Sequence, residues 1–122
     1  MTAITFKIIP LEWNNYTLNI AKESKKLLEE GKHVNLNHTN VASDLMEQFL
    51  DGKIQVELAP IEKEGTKIKG IIPSAELWRR AKDYVTKRQS EGNKINGGLG
   101  GLVINLVKAY NRGEIKPFQE VK

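Results

Sequence analysis

An α+β fold, mostly helical, in which two β-α-α units share one core, follows from three features of this sequence. A shift of 61 positions lays residues 30–54 on residues 91–115 with six of 25 columns identical (Glu30/Glu91, Gly31/Gly92, Asn35/Asn96, Leu45/Leu106, Gly52/Gly113, Ile54/Ile115). Each half opens with a short β-favouring run that ends in Ile-Ile-Pro, at residues 8–10 and 71–73. Apolar residues then recur at helical spacing and stop at glycine. With 122 residues the chain forms one domain, so the two copies must pool their apolar faces.

Unit one spans residues 4–52. Ile4, Phe6 and Ile8 alternate with polar residues, a strand pattern, and Pro10 ends the ladder because it has no N–H and suits the first turn of a helix. Trp13, Tyr16, Ile20 and Leu27 then share a helix face that Gly31 terminates. A second helix carries Val41, Leu45 and Phe49 at i, i+4, i+8 and stops at Gly52. The connector, residues 53–66, contains the alternating Ile54, Val56 and Leu58. A hairpin of residues 54–58 with 67–72, joining strand 4–9 in a three-stranded sheet, is therefore a competing arrangement.

Unit two spans residues 67–113. Its strand ends at Pro73, and Ser74 is the expected N-cap of a helix with Leu77, Ala81, Tyr84, Val85 and Arg88 on one face. Gly92 ends that helix. The last helix carries Leu102, Leu106 and Tyr110, in the columns of Val41, Leu45 and Phe49, and Gly113 closes it before a tail of residues 114–122. Upstream of the helices the shift becomes 63, which matches residues 4–10 with residues 67–73.

Composition excludes several classes. There is no cysteine, hence no disulfide, thiolate metal site or thiol nucleophile. No apolar run is long enough to span a bilayer and the N-terminal residues lack a signal-peptide pattern, so a cytoplasmic location without membrane contact is expected. The net charge of +4 is unevenly spread. Residues 1–61 hold six Lys and eight acids, net −2; residues 62–122 hold nine Lys, four Arg and seven acids, net +6. Attraction to a polyanion would come mainly from the second half.

A strand followed by two helices cannot bury its own apolar faces, and a second copy supplies what is missing. This pattern of Ile-Ile-Pro strand exits, paired amphipathic helices and glycine stops resembles the ribbon-helix-helix DNA-binding family, with two units in tandem in one chain. It is similar to the conjugation and DNA-transfer accessory proteins built as such pseudo-dimers. The resemblance implies double-stranded DNA as partner, a two-stranded antiparallel β-ribbon in the major groove, and a transcriptional regulator or plasmid DNA-transfer factor that is monomeric and able to associate further on DNA. It implies base contacts from alternate strand residues before the proline: Lys67, Lys69 and Ile71 in unit two, with Ile68, Gly70 and Ile72 inward. Lys67 and Lys69 would donate to guanine O6 or N7; the same lysines also suit a solvated edge that blocks aggregation. The same phase in unit one would expose Ile4, Phe6 and Ile8, whereas the alternation buries them and turns Thr5 and Lys7 outward. The alternation is followed for unit one, which leaves the two strands offset.

Phosphate contacts are implied at the N-termini of the second helices, where unpaired N–H groups and the helix dipole favour an anion. These are Asn37, Thr39 and Asn40 in unit one and Lys94, Asn96, Gly97 and Gly98 in unit two. The Gly-Gly-Leu-Gly-Gly run of residues 97–101 lacks the Lys-Ser/Thr of a phosphate-binding loop, and close helix packing explains it equally well. His33 and His38 are read as loop residues and not metal ligands; Trp13 and Trp78 are read as core. No cofactor, metal or catalytic constellation is expected, and the chain is not read as an enzyme. The alternative is a protein-interaction module of phage or plasmid origin, with the acidic unit one as the contact for a second protein.

Overall fold

In the computed structural model, which describes residues 3–32, 36–58, 65–92 and 98–118, the order strand, helix, helix occurs twice. The elements are β1 (Ile4–Ile8), α1 (Pro10–Glu29), α2 (His38–Leu50), β2 (Lys67–Ile71), α3 (Ala75–Ser90) and α4 (Gly98–Asn111). The fold is α+β and mostly helical, with a two-stranded antiparallel sheet.

Local chemistry sets the helix limits. Pro10 occupies the first turn of α1, with Glu12 there and Lys26 in the last turn, both favourable to the helix dipole. Asn37 and Asn40 cap α2 reciprocally: each side-chain oxygen accepts the other's backbone N–H at 2.8 Å. Ser74 caps α3 as the sequence predicts, its Oγ accepting from the Leu77 N–H. Gly31, Gly52, Gly92 and Gly113 stand just beyond the four helices. At Gly113 the φ of +76° lets the N–H groups of Gly113 and Glu114 turn back to the Tyr110 and Ala109 carbonyls, both at 3.0 Å.

α4 is the hub. It is buried on nearly every side from Gly100 to Tyr110 and packs against α1, α2, α3 and β1. Each first helix lies on the second helix of the other half, α1 on α4 and α3 on α2, so exchanging the halves leaves the packing partners unchanged. Two edge-on aromatic pairs mark these contacts: Tyr16 with Tyr110 at 5.8 Å and Tyr84 with Phe49 at 5.3 Å. Phe49 and Tyr110 occupy the same column of the repeat. Trp13 is core and Trp78 is half-buried against it. Beyond Gly113 the chain still packs: Ile115 and Pro117 are buried, and the Phe118 N–H donates to Asp44 on α2.

The ribbon corrects the strand reading for unit two. Ile4 pairs with Ile71, Thr5 with Gly70, Phe6 with Lys69, Lys7 with Ile68 and Ile8 with Lys67. Opposed residues of an antiparallel pair share a face, so burial of Ile4, Phe6 and Ile8 places Lys67, Lys69 and Ile71 on the core side. Ile71 is 1% exposed, while Ile68 and Ile72, expected inside, are 65% and 53% exposed. Lys67 and Lys69 are half-buried, which their long apolar stems permit. The two strands are in phase and not offset. The shift of 63 lays Phe6 on Lys69, and these two residues face each other at the centre of the ribbon.

The connector is a second correction. Ile54, Val56 and Leu58 are half-buried and alternate with exposed residues, yet residues 54–58 join no strand ladder. β2 pairs with β1 instead. Alternation reports that one side of an extended segment is covered, and it does not report hydrogen-bond pairing.

Candidate nucleic-acid interface

The ribbon has one face on the core and one in solvent. Thr5 and Lys7, turned outward as the alternation predicts, stand opposite Gly70 and Ile68, and the row continues into exposed Ile72. Beneath it, α4 packs against β1 and α2 approaches β2. On the α4 side Gly100 comes close to β1: a Cβ there would stand 2.9 Å from the Thr5 carbonyl oxygen and 3.0 Å from the Phe6 Cβ. Any larger residue would push α4 off β1. Close packing therefore accounts for this glycine of the Gly-rich run. Gly98 begins α4 at φ +57°, whereas Lys94, Asn96 and Gly97 lie outside the described residues.

On the α2 side a cluster links both strands' neighbourhoods to the helix start. The His38 ring stacks on Trp13 at 4.5 Å, and the Lys69 ammonium sits 5.5 Å above the centroid of the Trp13 ring. His38 Nε2 is 2.9 Å from the Thr17 hydroxyl, and the Tyr16 hydroxyl donates to the His38 carbonyl at 2.7 Å. Asn37 and Asn40, expected at phosphates, are engaged in the cap. The N–H groups of His38 and Thr39 have no carbonyl within the helix to reach, as in any first turn. The sequence reading did not identify the Lys69–Trp13–His38 stack, since nothing local ties residues so far apart.

Electrostatics follows burial. Loss of water pushes the Tyr16 hydroxyl well above the usual tyrosine range, with Tyr110 adding to it, and burial followed by Glu23 pushes Tyr110 up to about 12. Both hydroxyls remain protonated donors at neutral pH. Partial burial, and then the nearby Lys69, lower the His38 pKa below its ordinary value of 6.5. As pH falls the unfolded chain therefore takes up this proton before the folded one does, and stability declines below that ordinary value. Urea unfolding should show a midpoint that drops from about pH 7.5 to about pH 5.5, with a shallower drop in His38→Gln. Equal slopes in the two proteins would remove His38 from this account.

The hollow beside β1, lined by Lys7, Ile8, Ile9, Glu12, Gly65, Ile104 and Lys108, has a volume of about 10 Å³, room for roughly one water and no cofactor. Among the described residues, no three His, Asp or Glu side chains gather as a metal site, and no helix is long and apolar enough to cross a membrane. No family model, curated protein or solved structure matches this chain.

Proposed function

We propose that this protein binds double-stranded DNA by laying the outer face of the β1–β2 ribbon in the major groove, as a transcriptional regulator or DNA-transfer accessory factor. The observation that carries the reading is a two-stranded antiparallel ribbon whose core-facing side rests on α4 and whose other side, with Thr5, Lys7 and Ile68, is exposed to solvent. In this reading the chain is a tandem ribbon-helix-helix pseudo-dimer. A ribbon with strands about 4.8 Å apart fits a groove about 12 Å wide. Thr5, Lys7 and Ile68 face the bases, Lys7 donating to a guanine. Ile71 is withdrawn from base contact by its burial. Lys67 and Lys69, on the core side, serve the rim, where Lys69 and the first turns of α2 and α4 meet phosphates.

The test is fluorescence anisotropy with labelled duplex at a series of salt concentrations. Affinity should fall steeply as salt rises, because phosphate neutralisation releases counterions. Lys7→Ala should weaken binding to a selected site about tenfold with little change in folding. Absence of binding, or binding indifferent to salt, would refute the reading.

One observation favours a protein partner as a second reading. Leu11 and Leu18, seven residues apart on one face of α1, are both mostly exposed. They lie in the acidic half, which suits a protein contact better than a DNA contact.

A further inference from the structure

Strand β2 presents its outer face in an unusual way. The run Lys67-Ile68-Lys69-Gly70-Ile71-Ile72 sends its two lysines toward the core side and turns Ile68 and Ile72 to solvent. An antiparallel strand with one face on the core and one in water ordinarily carries the opposite arrangement, apolar inward and polar outward. The register with β1 holds this phase, since a slip of one residue would either expose Ile71 or draw Thr5 and Lys7 inward. Ile68 therefore stands in a row with Lys7, and Gly70 beside it contributes no side chain that would keep a ligand away.

We infer that Ile68 reads a thymine, by packing against the C5 methyl group in the major groove, next to the base that Lys7 contacts. This rests on the DNA reading above. An isoleucine side chain neither donates nor accepts a hydrogen bond, and among the groups that base pairs show in the major groove the thymine methyl is the apolar one. The occupant is a polyanion and not an apolar protein surface because the residue that lies opposite Ile68 on this same outer face is Lys7. Net charge of the second half, +6, points the same way.

The experiment begins by selecting bound sites from a random duplex pool with the full chain. Each thymine of the selected site is then replaced by deoxyuridine, which removes the methyl and nothing else. At one position per site this should weaken binding about fourfold, the value of one buried methyl. In Ile68→Ala the same replacement should have no effect, the two losses being one interaction. If uracil is silent at every position, or its cost persists undiminished in Ile68→Ala, the thymine contact is refuted while DNA binding stands. If no duplex is bound, both fall. Sedimentation of the free protein should show a monomer; a dimer that Ile68→Ala dissociates would overturn the inference. The uracil series on the unaltered protein keeps the test decisive even if the variant misfolds.

Discussion

Ile71→Lys is expected to unfold the protein at neutral pH, whereas Ile68→Lys, three residues earlier in the same strand, should change its stability by no more than about 0.5 kcal/mol. Ile71 is 1% exposed, opposite Ile4 and within the core, while Ile68 is 65% exposed. An ammonium at position 71 would have to be buried without a partner or give up its proton. Buried lysines lower their pKa by up to about 5 units, a cost on the order of 5 kcal/mol, comparable to the entire stability of a small domain. Circular dichroism and urea unfolding decide between the two strand phases. A folded Ile71→Lys beside an unfolded Ile68→Lys would invert the ribbon.

The second large effect is expected at the centre of the ribbon. Phe6→Ala should cost about 3–5 kcal/mol in urea unfolding, the range for removing a buried aromatic ring. The Phe6 ring lies 6.0 Å from that of Trp13, faces Lys69 across the ribbon and backs onto α4 at Gly100. Gly100 has no side chain that could move into the space left behind, so the cavity persists. Thr5→Ala, one residue away on the outer face, is the control and should leave stability nearly unchanged. A loss below about 1 kcal/mol at Phe6 would mean that the ribbon is not packed on α4.

Much of the helical framework was legible because its signals are local. The shared columns of residues 30–54 and 91–115 mark the second helices, glycines mark the stops, and Ser74 marks the start of α3. The strand faces were half legible. In unit one, Ile4, Phe6 and Ile8 show their face by alternation. In unit two, Lys67, Lys69 and Gly70 carry little apolar signal, and the face is imposed from outside by pairing with β1. The 63-residue shift already laid Ile71 on buried Ile8, which was the available clue. In residues 54–58 the alternation misled in the other direction, since it arises from one-sided cover without a ladder.

For the candidate interface, Thr5 and Lys7 were readable by the same alternation, and the first turns of α2 and α4 lie beside the ribbon. The stack of Lys69, Trp13 and His38 was not readable, because it joins three elements that only the folded chain brings together. Nor could sequence tell that Asn37 and Asn40 are occupied with each other. Under the proposed DNA reading, both facts move the expected α2 phosphate contact from those amides to Lys69 and the backbone.

The most direct measurement of the central claim is a map of backbone amide shifts as a short selected duplex is titrated into isotope-labelled protein. The account predicts changes concentrated at Thr5, Lys7, Ile68 and Gly70 and at the first turns of α2 and α4, with the outer faces of α1 and α3 quiet. Changes centred on Leu11 and Leu18, or spread without regard to the ribbon, would contradict it.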